Sequence, residues 1–580
     1  MKSFASREGT PARVALLALA LCASGAATAA AAPTETVTEE LIRLLAERTA
    51  LSREDADRLI GRLREEQAAK AQALQSTPVA SSFVPPAGAE LPPADPKGRV
   101  RVVYLPETEK QRIRAAVRED VIATAKQENW ALPEAVPAWV KGIRIDGDLR
   151  LRQQLDLFDP SNGAQFINFQ AVNAGSPLNT NPLPGQPLTV PVLNTTEDRQ
   201  QFRARARIGI SAGITDSLSA GLRLASGSVS NPVSTNQTLG NDFNKVNLLI
   251  DRAWLDWHPD PAINVWGGRM PSPWQSTELL WDEDLNFDGV AARYWQDWRP
   301  GLRQFATVGV FALETTDSNY PANSLSKENS RDKWLLGAQT GVEWQWSERT
   351  QARAAIALYD FVDHEGELSA PCFAPTSAVA CETDVSRPGF LQKGNTLFAL
   401  RDLLLLAPTD PSYQYFGLAS EFRVLDINAR LDHRLDAGQH LIIDADFVYN
   451  MAYDEGDIEA LVPVNNFGSC PSGDPLCTAG FEGGGYGYLL HVLWGVPRIV
   501  AGGQWNVFAG YRRIESDAVV DAFTDSDFHL GGTNAKGYHV GGSYGLTRDT
   551  WLTARWLSAT EVTGAPLAID VLQIDVNTRF

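Results

Sequence analysis

The sequence predicts an all-β protein, a transmembrane antiparallel β-barrel of about 16 strands that follows a helical N-terminal arm. Three observations predict this fold. From residue 143 onward, apolar and polar side chains alternate along the chain. The alternating segments are joined by connections that are long and short in turn. Tryptophans lie on or at the ends of these segments, where their rings favour a membrane interface; they are Trp254, Trp257, Trp266, Trp295, Trp344, Trp346, Trp494, Trp551 and Trp556.

The composition excludes two other classes of protein. A formal net charge of −19 argues against a nucleic-acid partner, since such proteins carry a basic surface. The mean hydropathy of −0.19, with no run of roughly 18 apolar residues, excludes a polytopic helical membrane protein. A barrel is still allowed, because its alternating strands average to a polar composition.

The first 29 residues predict a secretory signal peptide. Lys2, Arg7 and Arg13 form a positive region, an apolar run follows at 14–23, and Ala27-Thr28-Ala29 offers a cleavage site. A membrane anchor is the alternative, but the apolar run is too short to span a bilayer. We therefore expect an exported mature chain.

Residues 30–142 predict a periplasmic arm. Helical periodicity is visible at 36–75 and at 108–130, and the proline-rich stretch 76–96 between them indicates a stiff linker. The two helices are either solvated charged helices or contacts to the cell wall or to other subunits. The sequence leaves these alternatives open.

The segment that ends the chain shows the strand pattern most clearly. Between 570 and 580, Leu572, Ile574 and Val576 share one face with the terminal Phe580, while polar residues occupy the other face. A soluble sandwich also alternates, with its polar side in water. The connections favour the barrel over the sandwich, because barrels in membranes have short turns at one end and long loops at the other. We expect a barrel over 143–580.

Four cysteines fall in two close pairs within the longest predicted loops, 362–414 and 452–484. In an exported chain, such pairs predict the disulfides Cys372–Cys381 and Cys470–Cys477. A metal site is the alternative, but no histidine lies at ligand spacing beside either pair. The sequence predicts no metal site and no cofactor.

Five stretches and the terminal Phe580 form a recognisable set: AWVK (138–141), GDLRLR (147–152), LNTTEDR (193–199), NPVSTNQTLG (231–240) and WDEDLNFDGV (281–290). Together they resemble the bacterial "putative porin" family of outer-membrane proteins, over roughly residues 100–580. The resemblance implies a barrel in the outer membrane of a Gram-negative bacterium, in contact with lipid and lipopolysaccharide. It also implies a pore for small hydrophilic solutes or ions. A barrel of this width is expected to hold an aqueous channel, and a homotrimer is a further expectation.

Charged residues near the start of the barrel suggest how such a pore selects solutes. The predicted lumen face of the early strands is rich in arginine: Arg144, Arg150, Arg152, Arg203, Arg205, Arg207, Arg223 and Arg252. The third long loop, 271–285, ends in Asp282, Glu283 and Asp284. We hypothesise that this loop enters the pore and that its acids face the arginines across a constriction. The alternative is that the arginines only pair with neighbouring lumen acids such as Asp146 and Asp148.

Three other functions stay open at this stage. They are a substrate-selective channel, a structural or adhesive barrel closed by its long loops, and an enzyme carried on the barrel. The sequence Gly541–Gly545 fits the G-x-S-x-G motif, but it lies in an alternating strand rather than in a strand–turn–helix. His491 and His539 are the histidines that a barrel enzyme could use. We expect no enzymatic activity.

Overall fold

The computed structural model describes residues 142–182, 190–404, 410–468 and 479–580. The predicted signal peptide and the predicted helical arm, up to residue 141, lie outside the described residues. So do Cys470 and Cys477, and the disulfide predicted between them stays a prediction.

Sixteen antiparallel strands form one closed barrel, as the alternation predicted. The strands are β1 Arg144–Phe158, β2 Arg199–Gly213, β3 Leu218–Ser226, β4 Leu248–Asp260, β5 Ile263–Pro271, β6 Asn286–Arg299, β7 Leu302–Glu314, β8 Lys333–Ser347, β9 Thr350–Val362, β10 Phe422–Arg434, β11 His440–Asn450, β12 Tyr486–Gly495, β13 Trp505–Ile514, β14 Ala535–Thr547, β15 Thr550–Glu561 and β16 Ala568–Arg579. Each strand pairs with its neighbour in sequence, and β1 pairs with both β2 and β16. This last pairing closes the barrel and leaves no open sheet edge.

The period-two pattern places apolar side chains on the outside of the wall. On β8, Trp334, Leu336 and Val342 are exposed, whereas Lys333 and Gln339 on the other face are buried. A membrane-facing surface requires this arrangement, because successive side chains of a strand point to opposite faces.

The two ends of the barrel differ in their connections, as predicted. At one end, which we call the turn end, residues 261–262, 300–301, 348–349 and 548–549 are two-residue turns. At the other end, which we call the loop end, lie the long connections L1 (159–198), L2 (227–247), L3 (272–285), L4 (315–332), L5 (363–421), L6 (451–485) and L7 (515–534). The last connection at this end, L8 (562–567), is shorter than the turn-end connection 496–504 and departs from the predicted alternation.

The loops contain little regular structure of their own. The helices α1 Phe169–Asn173 in L1 and α2 Glu455–Ala460 in L6 are short. Short strands pair 178–179 with 413–414, and 397–399 with 416–418. No helix in the described ranges is long and apolar enough to cross a membrane.

Loops L3, L5 and L7 fold into the barrel and build an apolar core there. Trp281 of L3 is 4% exposed and meets Phe287 of β6, Tyr359 of β9 and Phe523 of L7, at ring-centroid distances of 5.1, 5.3 and 6.1 Å. The hydrophobic effect therefore holds these loops inside the wall rather than above it.

Cys372 and Cys381 form a disulfide within L5, which confirms that prediction. Their Cα atoms are 6.0 Å apart. The bond closes a short segment of a long loop and limits the conformations open to it.

Candidate functional site

Loop L3 crosses the lumen from β5 to the opposite wall. The backbone N–H of Gln275 donates to the side chain of Gln339 on β8 at 2.9 Å, and its side-chain amide donates to Asn428 on β10 at 2.8 Å. The hydroxyl of Thr277 donates to Asp446 on β11 at 2.6 Å. These contacts hold the loop within the barrel, because breaking them would leave buried donors and acceptors without partners.

Asp284 at the end of L3 returns to the arginines of β2. Its Oδ1 lies 3.0 Å from Arg207 and 3.8 Å from Arg205, and its Oδ2 accepts from the backbone N–H and hydroxyl of Thr235 in L2. Burial raises the pKa of Asp284, but the two guanidinium groups and the hydrogen bonds from Thr235 together outweigh burial, and the net pKa is lowered. The ionised carboxylate of Asp284 therefore links L3 to L2 and to β2.

Asp282, two residues earlier in L3, lies in the opposite electrostatic environment. It accepts hydrogen bonds from the backbone N–H groups of Ser526 and Asp284. Burial, followed by the charges of Asp525 and Asp284, raises its pKa to about 9. Burial and Asp525 also raise the pKa of Glu278, an L3 residue outside the predicted set. At neutral pH the Asp282 carboxyl group is therefore protonated and presents no negative charge to the arginines.

The arginines of β1 and β2 are largely paired. Arg152 is 3% exposed, and its Nε lies 2.8 Å from Asp575 on β16 while its Nη1 lies 2.7 Å from Asp527 in L7. Arg205 and Arg207 both contact Asp148, at 3.4 and 2.8 Å. The alternative that the arginines pair with neighbouring lumen acids therefore holds for Arg152, Arg205 and Arg207. Asp148 is one of these partners, and Asp146 is not.

Two arginines of this wall have neutral partners. Arg150 donates to Asn236 of L2 at 2.7 Å, and Arg203 donates to Gln154 at 3.2 Å. Within the described part of the chain, no carboxylate lies within ion-pair distance of either arginine. Only Arg150 of the two borders the space beside L3, where it offers a positive charge without an ion-pair partner.

The remaining predicted arginines lie apart from this group. Arg223 pairs with Asp251, and Arg252 donates to Asn286 at 2.6 Å. A register shift in β4 lies beside Asp251, where the regular alternation is interrupted. Arg144 is exposed at the first position of β1, at the turn end.

Loop L7 supplies charged residues that the sequence did not predict for the site. Asp527 contacts Arg152 and also Arg555 of β15, the latter at 2.6 Å, and Arg512 of β13 contacts Asp525 at 3.0 Å. Burial opposes ionisation of Asp527, but Arg152, Arg555 and Arg150 lower its pKa well below the usual range. An acidic run at 517–527 in a long loop was the available signal, but a linear pattern cannot show which loop enters the lumen.

Together these residues surround a cavity of about 340 Å³, which we call the charged cavity. Four arginines and seven acids line it: Arg150, Arg152, Arg205, Arg555, Glu278, Asp282, Glu283, Asp284, Asp525, Asp527 and Asp575. The predicted acids and three of the eight predicted arginines therefore border one space. The raised pKa of Asp282 reduces the acid excess at neutral pH.

The charged cavity has no metal-binding arrangement. Among the residues that the structure describes, no group of three or more histidine, cysteine or acidic side chains could hold a metal ion. The hydroxyl of Ser543, in the G-x-S-x-G match, lies 2.9 Å from the Thr553 hydroxyl within the strand pair β14–β15.

Comparison with known proteins identifies a family. The sequence model of a family described as "Putative porin" matches residues 35–580. No curated protein matches the sequence. Solved structures that resemble the chain include the outer-membrane channel DcaP of Acinetobacter baumannii, with 10% identity, 76% of this chain and 97% of that chain covered, and a TM-score of 0.36. A high-pH structure of Pseudomonas putida OprB has 9% identity, covers 76% and 95%, and has a TM-score of 0.39. A Salmonella typhi OmpF complex with daunomycin has 9% identity, covers 77% and 100%, and has a TM-score of 0.35.

Proposed function

We propose that the charged cavity is the constriction that determines which solutes pass through the barrel. The premise is that the chain belongs to the putative porin family and is a channel-forming porin of the Gram-negative outer membrane. In this proposal small hydrophilic solutes diffuse passively through the barrel. They pass between the arginines of β1, β2 and β15 and the acids of L3 and L7.

One observation supports this proposal above the others: opposite charges face each other across one small space inside the barrel. Fixed charges in a narrow, low-dielectric passage act strongly on a passing ion or dipole, because little water screens them. Most of these charges are paired, so we expect weak rather than strict ion selectivity. Among the lining arginines Arg150 is the exception, because no carboxylate among the described residues lies within ion-pair distance of it.

The test is single-channel conductance and reversal potential in a planar bilayer. The wild type should show discrete conductance steps. Arg150→Gln removes one positive charge and breaks no ion pair, so the reversal potential should move toward cation selectivity. Arg349→Gln is a matched control, because Arg349 is exposed in the 348–349 turn at the turn end, where it pairs with Asp436. An unchanged reversal potential in Arg150→Gln would reject the constriction proposal.

A second candidate is a barrel closed by its loops, with a structural or adhesive role. The apolar core that L3, L5 and L7 form inside the barrel favours it, because packed apolar side chains exclude water. A folded protein that never conducts would favour this candidate over the open channel. A substrate-selective channel would instead conduct ions and be blocked by one class of solute.

We also propose that the barrel has no enzymatic activity and forms a homotrimer in contact with lipid and lipopolysaccharide. The position of Ser543 inside a strand supports the first point, since a nucleophile elbow needs a sharp turn before a helix. His491 lies 3.5 Å from Asp444, and its ring stacks on His539 at 5.4 Å. Hydrolysis of lipid or peptide by the pure protein would reject the proposal that the barrel has no enzymatic activity.

The proposed homotrimer has its own test. Conductance steps grouped in threes would support it.

A further inference from the structure

A second cavity lies among the loops rather than in the lumen. It has a volume of about 440 Å³ and is formed by residues of L1, L5, L6, L7 and L8 together with the end of β15. We call it the loop cavity. Its apolar wall includes Phe166, Ile167, Phe169, Leu391, Leu397, Val464 and Phe467. Such a wall favours the apolar part of a small molecule, because binding removes that part from water.

Two carboxylates with incomplete hydrogen bonding lie in the lining of this cavity. Asp521 of L7 is 2% exposed, and its Oδ2 accepts a hydrogen bond from the backbone N–H of Asn395 at 3.4 Å. The Glu561 side chain is 9% exposed. The other oxygen of each side chain, Asp521 Oδ1 and Glu561 Oε2, has no hydrogen-bond partner among the described residues. A buried oxygen without a partner is costly, so both atoms favour a donor from a ligand.

The cation beside these carboxylates is already engaged. Lys393 lies 3.5 Å from Glu561 Oε1, and its ammonium donates to Nδ1 of His529 at 2.6 Å. The other ring nitrogen of His529 lies 2.7 Å from the carbonyl oxygen of Leu567, to which it donates. Burial and the charge of Lys393 lower the pKa of His529, so the imidazole is neutral. Burial raises the pKa of Asp521 to about 7. At a pH above this value two carboxylates face one cation, and the site then retains a negative excess.

We propose that the loop cavity binds a small organic cation with an apolar body and a protonated amine, which donates to the unpartnered oxygens of Asp521 and Glu561. The apolar wall holds the body of this ligand, and the carboxylates recognise its charge. The site is separate from the charged cavity, and the proposal does not rest on the constriction.

The test is isothermal titration calorimetry on the full chain in detergent micelles, with 2-phenylethylamine as the probe at about pH 8.5, where Asp521 is ionised and the amine is still protonated. Its neutral analogue 2-phenylethanol has the same ring and chain length, and blank titrations into micelles correct for partitioning. We expect the amine to bind about tenfold more tightly than the alcohol, since a charge-assisted hydrogen bond exceeds a neutral one. Equal affinities, or no binding of either compound, would overturn the proposal.

Variants locate the binding. Asp521→Asn and Glu561→Gln should each weaken amine binding about tenfold and leave alcohol binding unchanged. Glu459→Gln is the matched control, because Glu459 is an exposed acid on α2 outside the lining. Val464→Trp fills the cavity and should abolish binding of both compounds. Heat-modifiable mobility on gels verifies that each variant is folded. Full amine affinity in folded Asp521→Asn and Glu561→Gln, or in folded Val464→Trp, would contradict the site.

Discussion

Asp282 of L3 and Asp527 of L7 border the same cavity, yet their environments shift their acidities in opposite directions. Asp282 accepts from two backbone N–H groups and has other acids as its charged neighbours, and its pKa rises to about 9. Asp527 contacts Arg152 and Arg555, and its pKa falls. Burial opposes ionisation in both residues, so contact with an arginine decides which carboxylate is charged.

Removing the arginine that holds Asp527 should have the largest effect on this contrast. Arg152→Met leaves Asp575 without its buried ion-pair partner and leaves Asp527 with Arg555 alone. Breaking such a pair on one side costs about 3–5 kcal/mol of unfolding free energy. Urea-induced unfolding in detergent micelles measures the loss. Arg349→Met, at an exposed pair, should cost less than about 1 kcal/mol. Equal losses in the two variants would mean that the arginine contact does not distinguish Asp527 from Asp282.

Raising the pH should make Asp282 resemble Asp527. With a pKa of about 9, Asp282 is about 1% ionised at pH 7 and about 90% ionised at pH 10, so the cavity gains nearly one negative charge. The reversal potential should therefore move toward cation selectivity over this range. The folded pKa lies above the unfolded value of about 3.9, so the protonated carboxyl stabilises the barrel at low pH. That contribution is lost as the pH rises through about 9.

Asp282→Asn is the control for this titration. It keeps the size of the side chain and cannot ionise, so the shift between pH 7 and pH 10 should shrink. If the reversal potential of Asp282→Asn shifts as much as that of the wild type, another group titrates, and the contrast between Asp282 and Asp527 does not explain the pH dependence.

Asp284 is an intermediate case that sharpens the comparison. It contacts arginines, as Asp527 does, and one backbone N–H, that of Thr235, as well. Thr235→Val removes the hydroxyl that donates to Asp284 at 2.8 Å but keeps the backbone N–H and the arginines. We expect the smallest effect of the three, a loss of about 1.5 kcal/mol of unfolding free energy, with the ionised state of Asp284 preserved. A loss as large as that of Arg152→Met would show that the hydroxyl, not the arginines, holds L3.

The sequence by itself determined the barrel, its strands and the assignment of long and short connections. These features follow from local patterns, because a strand repeats every two residues and a turn joins neighbours in the chain. The Cys372–Cys381 disulfide was predicted for the same reason, since its two residues lie close together in one loop.

Only the tertiary structure decided which charges meet. Arg152 and Asp575 lie far apart in sequence and become partners because β1 and β16 close the barrel. Asp527 reaches the same arginine because L7 packs inward with L3 through Trp281 and Phe523. Charge states in the cavity depend on these distances, since electrostatic energy falls with separation in space and not along the chain.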